Sequence, residues 1–165
     1  FKNNNKVNLI AEDLGEASAD AAILRNKYGI PGMSVLQFLF YDGYNINNIE
    51  KDTVLYTGTH DNDTSVGWFE SLNDKLLSDE INDLKSILKS DSKGMNWSMI
   101  EYSFQSRATT VIVPVQDILG LGSDSRMNTP GTISENNWSW RMNGSELKDT
   151  MLKKMKDITE KAHRA

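Results

Sequence analysis

Two carboxylates in this sequence follow closely after short apolar runs and could do acid–base chemistry. Glu12 follows the apolar residues 7–11, and Asp61 follows residues 54–58. If both runs are parallel strands, their carboxyl ends meet at one edge of a sheet, where catalytic groups usually gather. One carboxyl group with a raised pKa can then donate a proton, while the other stays ionised against a developing positive charge. Such a pair suits chemistry at a glycosidic bond.

Two other interpretations fit the same part of the sequence. Carboxylates after a strand often cap the next helix, and Asp63 or Thr64 could cap a helix that contains Trp68. Carboxylate and imidazole groups could instead bind Mg²⁺ or Mn²⁺. The metal ligands would be Asp13, His60, Asp61 and Asp63. Since the sequence has no established metal-binding motif such as an EF-hand loop, we expect no metal, but spacing alone leaves the three interpretations open.

The elements that must position these residues alternate between apolar strands and amphipathic helices. The patterns predict strands over residues 7–11, 35–40, 54–58 and 109–115. They predict helices over residues 18–28, 64–72, 78–89, 96–106 and 145–162. Residues 41–52 and 120–137 are rich in turn-forming residues and are expected to be loops, the first with at most one helical turn.

The order of these elements predicts an α/β fold with parallel strands joined by crossover connections. A closed (β/α)8 barrel has eight strands and typically about 250 residues. The 165 residues and four predicted strands of this chain therefore amount to roughly half of a barrel. A small open sheet is the alternative.

The composition of the chain indicates one globular domain and argues against nucleic acid and membranes as partners. The chain is 38% hydrophobic and 25% charged, which is typical of one globular domain. Its net charge of -5 argues against a broad cationic surface for nucleic acid or anionic lipid. The absence of cysteine excludes disulfides and cysteine nucleophiles and fits a reducing cytoplasm. No apolar run approaches the roughly 20 residues that cross a bilayer, so we expect no membrane-spanning segment.

Several blocks of the sequence, in the same order, resemble the amylomaltase or disproportionating-enzyme family of 4-alpha-glucanotransferases. The blocks are IAEDLG at 10–15, GIPGM at 29–33, VLQF at 35–38, YTGTHDNDT at 56–64, PVQD at 114–117, RMN at 126–128 and NWSWR at 137–141. Together they extend over about residues 10–142. Each block is short, and their ordered series is what makes the resemblance specific.

The resemblance implies a cytoplasmic, cofactor-free enzyme with a (β/α)8 barrel of the alpha-amylase clan. It would transfer alpha-1,4-glucan segments between maltooligosaccharides and retain the anomeric configuration. The resemblance assigns Glu12 as the general acid/base and Asp61 as the carboxylate that stabilises the transition state. It also assigns substrate-binding or supporting positions to His60, Asp42, Asn128, Asp13 and Asn62.

One part of the family pattern is missing from this chain. In the family the nucleophilic aspartate ends the strand before the Glu12 block, but no aspartate precedes Glu12 here. The resemblance therefore implies about strands 5 to 8 of the barrel, as one partial domain over residues 1–165. We expect the chain alone to lack transferase activity and its open sheet edges to favour association into an oligomer such as a dimer. A non-catalytic glucan-binding or assembly module is the alternative.

Overall fold

The computed structural model describes residues 8–14, 18–41, 45–72, 78–90 and 94–164. Its strands are β1 (Gly32–Val35), β2 (Thr53–Tyr56) and β3 (Thr110–Ile112). Its helices are α1 (Ser18–Lys27), α2 (Leu36–Tyr41), α3 (Ser65–Leu72), α4 (Ser78–Leu88), α5 (Met95–Phe104), α6 (Val115–Leu119) and α7 (Asp149–Lys161). Single 3₁₀ turns occur at Ile46–Asn48 and Ser123–Ser125.

The three strands form a parallel sheet in the order β1-β2-β3. Met33 of β1 is paired with Val54 of β2, and Leu55 of β2 is paired with Val111 of β3. Parallel pairing requires crossover connections, and helices provide them here. The predicted α/β class with parallel strands is therefore confirmed. Because all three strands point the same way, the segments that follow them leave from the same edge of the sheet.

The main core lies between the sheet and helices α3, α4 and α5. Leu55, in the central strand, is fully buried and packs in one cluster with Trp68, Leu84 and Met99. A second cluster joins α5 to α7 through Phe104 and Ile158. Burial of such side chains typically stabilises a fold by about 1.5 to 3 kcal/mol each. None of the helices that the structure describes is long and apolar enough to cross a membrane.

Most predicted helices are confirmed to within a few residues, and the end of α1 shows why. Gly29 has a left-handed backbone with φ of 59°, a conformation that favours glycine. The Ile30 amide then donates to the carbonyl of Arg25, which satisfies a helix-terminal acceptor. The last helix is the exception because α7 begins at Asp149, four residues later than predicted.

Two strand predictions are wrong. Residues 8–14 form no strand; the Ala11 amide donates to the carbonyl of Pro31, and proline has no N–H to continue a ladder. The apolar run 35–40 was predicted as a strand, but β1 ends at Val35 and α2 begins at Leu36. Short apolar runs fit a buried helix as well as a buried strand. The described residues therefore form three strands where four were predicted.

Candidate functional site

A buried carboxylate fixes the segment that leaves the carboxyl end of β2. The hydroxyl of Thr57 donates to Oδ2 of Asp117 over 2.6 Å, and the Ser65 amide donates to Oδ1 over 2.7 Å. Asp117 is 1% exposed, and burial raises the pKa of this carboxyl group, although the hydrogen bonds from Ser65 and Thr57 oppose that shift. Asp117, which lies in α6, therefore joins β2, α3 and α6 from inside the fold.

Residues 57–63 cross the carboxyl edge of the sheet and border a cavity of about 650 Å³. Both candidate catalytic residues, Glu12 and Asp61, line this cavity. Its other lining residues are Ile10, Leu14, Met33, Phe38, Tyr56, Gly58, Thr59, His60, Asn62, Ile112, Pro114 and Pro130. Glu12 is exposed, and the Asp61 side chain is 47% exposed, so solute can reach both carboxylates.

Three of the predicted site residues meet around the Asp61 carboxylate. The Asn128 side-chain amide donates to Oδ1 of Asp61 over 2.6 Å. The Nε2 atom of His60 lies 3.5 Å from the same oxygen. The backbone amide of Asn128 also donates to the carbonyl of His60 over 3.1 Å. The segment around residue 128 is thus joined to the His60–Asp61 segment through both backbone and side chains.

Trp138, which the sequence does not assign to the site, lies against the imidazole ring of His60. The ring centroids of Trp138 and His60 are 5.1 Å apart. Trp138 has a left-handed backbone with φ of 63°, which is uncommon for a residue other than glycine, and its amide donates to the carbonyl of Met127 over 2.6 Å. The NWSWR block contains Trp138, but nothing in its spacing indicates a contact with His60.

The side chains of Asp13 and Asn62 accept hydrogen bonds from other residues of the protein. The Asp13 carboxylate accepts from Nε of Arg25 over 2.5 Å and from the Met33 amide over 3.1 Å. Its side chain is 9% exposed and, within the described residues, does not line the cavity that holds Glu12. Asn62 does line that cavity, but its Oδ1 accepts from both the amide and the hydroxyl of Thr59.

The remaining predicted site residue, Asp42, lies outside the described residues. Among the described residues, no group of three His, Cys, Asp or Glu side chains is arranged to hold a metal ion. The metal hypothesis in particular loses Asp13, whose carboxylate pairs with Arg25. It therefore has no geometric support.

The helix-capping interpretation is correct for Thr64 and not for Asp61. The Thr64 hydroxyl accepts from the Gly67 amide, three residues later, as a residue that caps α3 does. Asp63 accepts from the Thr64 amide and from the hydroxyl of Ser123. Thr64 therefore caps α3, Asp63 binds Thr64 and Ser123, and the Asp61 carboxylate lines the cavity.

Comparisons with known proteins agree with this architecture. A sequence model of the family described as 4-alpha-glucanotransferase matches residues 2–148. The chain is 45% identical over 150 residues to the chloroplastic/amyloplastic 4-alpha-glucanotransferase of Arabidopsis thaliana, covering 88% of this chain and 25% of that protein. It is 41% identical over 159 residues to the 4-alpha-glucanotransferase of Synechocystis sp., covering 92% of this chain and 30% of that protein.

A solved structure gives the corresponding comparison in three dimensions. The amylomaltase from Streptococcus agalactiae, in complex with acarbose, matches this fold with a TM-score of 0.84 and 32% sequence identity. The match covers 94% of this chain and 32% of that chain. The chain thus spans about a quarter to a third of the length of these relatives.

Proposed function

We propose, from the premise that this chain belongs to the 4-alpha-glucanotransferase family, that it forms part of the active site of a longer enzyme. That enzyme would transfer alpha-1,4-glucan segments between maltooligosaccharides. The family match over residues 2–148 supports the activity, and the acarbose bound to the related amylomaltase supports an oligosaccharide ligand. Because the chain spans about a quarter to a third of its relatives, the activity belongs to the longer polypeptide.

The observation that carries this proposal is the shared cavity of Glu12 and Asp61. Transfer with retention needs a carboxylate nucleophile, a second carboxyl group that exchanges a proton, and an environment that stabilises an oxocarbenium-like transition state. Two accessible carboxylates in one cavity supply the second and third of these requirements. A volume of about 650 Å³ is within the usual range for small-ligand sites.

Glu12 is proposed as the general acid/base. Its carboxyl group would protonate the glycosidic oxygen as the bond breaks and would later remove the proton from the attacking sugar hydroxyl. Asp61 would remain ionised and stabilise positive charge at the anomeric carbon. His60 would donate a hydrogen bond to a sugar hydroxyl beside Asp61, since its imidazole lies next to that carboxylate and is 53% exposed.

The rest of the cavity suits a sugar ring. Phe38, Tyr56 and Ile112 form part of its apolar wall, against which the C–H face of a pyranose can pack. Asn128 would position Asp61 and border the glucan, while Asp42 is proposed as a further substrate contact on the resemblance alone. Asp13 and Asn62 would hold the backbone from which Glu12 and Asp61 project.

For the fold, we propose that residues 1–165 are one part of a (β/α)8 barrel, about strands 5 to 8. The described residues form three of these strands, in the parallel order β1-β2-β3, while residues 8–14, where the first of the four is predicted, form no strand. The three parallel strands and the cavity that Glu12 and Asp61 line support this arrangement. The nucleophile would come from another part of the barrel and lie about 5 to 5.5 Å from the acid/base. The 165-residue polypeptide alone should therefore show no appreciable transfer.

The test is Glu12→Gln in the longer enzyme, assayed by maltotriose disproportionation. Glutamine keeps the size of the side chain but cannot exchange the catalytic proton, so kcat should fall by about 100- to 10,000-fold. Glu160→Gln is the matched control, because Glu160 lies on α7 and pairs with Lys156. Unchanged transfer in Glu12→Gln would remove the catalytic assignment and favour a non-catalytic glucan-binding role.

A further inference from the structure

Arg126 lies beside the proposed site but not on its ligand cavity. It is half-buried and lines a second, smaller cavity of about 140 Å³ together with Thr59, His60 and Asp117. Among the residues described, Arg126 is absent from the lining of the larger cavity that holds Glu12. Its guanidinium group therefore contacts the segment that carries Asp61 without lining the larger cavity.

The hydrogen bonds of Arg126 connect two segments that are far apart in the sequence. Its Nη2 donates to the backbone carbonyl of Asp61 over 2.6 Å. Its Nε donates to the backbone carbonyl of Asn128 over 2.7 Å. These two carbonyls belong to Asp61 and Asn128, whose side chains are hydrogen-bonded to each other at Oδ1 of Asp61.

The backbone of Arg126 is itself anchored. Its amide donates to the carbonyl of Ser123 over 3.0 Å, which closes the Ser123–Ser125 turn. A guanidinium group is planar and presents its donors in a rigid fork, so two acceptors bound to one fork have a fixed separation. Bonds from a charged donor are also stronger than those between neutral groups. The Arg126 side chain can thus set the spacing between the Asp61 and Asn128 backbones.

We propose that Arg126 is a positioning residue that fixes the Asp61 carboxylate by bridging the backbones of Asp61 and Asn128. It acts through these two residues and does not touch the sugar. This inference rests on the proposed transferase function, because Asp61 is the group whose placement affects the reaction. A carboxylate that moves by about 1 Å can lower a rate about 100-fold, so a small loss of rigidity has a large kinetic effect.

The kinetic test uses Arg126→Ala and Arg126→Lys in the longer enzyme, with maltotriose as substrate. Arg126→Ala should lower kcat by about 100-fold with little change in KM, because ligand contacts remain while the stabilising carboxylate is displaced. Arg126→Lys should be intermediate, since an ammonium group is a single point charge without the fork. Guanidinium ion at a non-denaturing concentration should partly restore kcat in Arg126→Ala but not in Asp61→Asn.

Arg164→Ala is the matched control. Arg164 also donates from its guanidinium group to backbone carbonyls, but to those of Phe104 at the end of α5 and of Ser106 and Ala108 in the segment that follows. Its loss should lower stability and leave kcat per folded enzyme unchanged. Equal losses of kcat in the two alanine variants, without guanidinium rescue, would reduce Arg126 to a structural role and overturn the inference. A raised KM with normal kcat would also overturn it, by indicating direct binding of sugar.

Amide hydrogen exchange gives a readout that does not depend on activity. Arg126→Ala should speed exchange in residues 59–63 and leave α5 unchanged, whereas Arg164→Ala should affect the end of α5. Unchanged exchange in residues 59–63 would overturn the inference whether or not the enzyme transfers glucan. If wild-type enzyme shows no transfer but Arg126→Ala speeds this exchange, the proposed function fails and the bridging role of Arg126 stands.

Discussion

The side-chain amide of Asn128 donates a 2.6 Å hydrogen bond to Oδ1 of Asp61, across 67 positions of sequence. The same pair is joined a second time through Arg126, which bonds both of their backbone carbonyls. Such preformed hydrogen bonds hold the Asp61 carboxylate in place, which would avoid reorganisation in the reaction proposed for it. The Asp61–Asn128 contact is therefore the most direct target for perturbing the site.

Asn128→Asp should damage the proposed enzyme through charge. A carboxylate at position 128 cannot donate to Oδ1 of Asp61 as the amide does, and its negative charge repels the Asp61 carboxylate. We expect kcat to fall by about 100-fold, as for a misplaced catalytic group. The measurement is kcat for maltotriose disproportionation.

Asn136→Asp is the control for that variant, because Asn136 is exposed on the same segment and the substitution adds the same charge. Its kcat should match that of the wild-type enzyme. A kcat for Asn128→Asp that also matches the wild type would mean that the Asp61–Asn128 bond has no part in catalysis.

Asp117 should make stability depend on pH. Burial raises the pKa of Asp117 in the folded state above its ordinary value of 3.8. Between that ordinary value and the raised one, the folded state keeps a proton that the unfolded state has released, so the free energy of unfolding should fall as pH increases. The contribution of Asp117 is fully present below the ordinary value and is lost as pH passes the raised value.

Asp117→Asn tests this dependence. The asparagine Oδ1 can still accept from the Ser65 amide, and the Thr57 hydroxyl can reverse to accept from the new amide group. Urea unfolding from about pH 4 to pH 8 should show a smaller fall in stability than for the wild type. An identical pH dependence in the two proteins would contradict this role of Asp117.

Arg164 should stabilise the junction between α5 and α7. Its side chain donates to the backbone carbonyls of Phe104, which ends α5, and of Ser106 and Ala108 in the segment that follows. Arg164→Ala should lower the free energy of unfolding by about 2 kcal/mol, the range for hydrogen bonds to a charged group. Chemical denaturation measures this, with the exposed Lys161→Ala as control. Equal stabilities of the two variants would show that the hydrogen bonds of Arg164 contribute nothing to the free energy of unfolding.

Gly67 should be intolerant of a side chain because α3 packs closely on the segment before Arg126. An added Cβ would lie 2.2 Å from Oγ and 2.9 Å from the amide nitrogen of Ser123. Gly67→Ala should therefore displace the Ser123–Ser125 turn and cost about 1 to 3 kcal/mol, as overpacking typically does. Gly144→Ala is the control, since its added Cβ would have no heavy atom of the described residues within 4 Å apart from its own chain neighbours. Similar stability changes in both variants would contradict the packing argument.

Sequence patterns predicted the class of this fold better than its strand boundaries. Parallel α/β order follows from the sequence of apolar runs, but the run 35–40 has no period that separates strand from helix. In the structure Val35 ends β1 and Leu36 begins α2, with both side chains buried. Tertiary packing therefore decides where this strand ends.

The residues of the candidate site can be predicted only in part, because several of their contacts join segments that are far apart in the sequence. Strand-end placement predicts His60 and Asp61, which follow β2 after three intervening residues. Asn128 entered only through the resemblance, and the roles of Arg126 and Trp138 depend on contacts across more than 60 positions. Local patterns do not contain such contacts.

Glu12 and Asp61 are proposed to act on one sugar in one cavity. The most direct measurement is a double-mutant cycle for maltotriose disproportionation with Glu12→Gln, Asp61→Asn and the double variant in the longer enzyme. Groups that act on the same transition state give strongly non-additive effects, so the double variant should be little slower than the worse single variant. Losses of kcat that multiply independently, or a single variant with wild-type kcat, would show that Glu12 and Asp61 do not act together on one transition state.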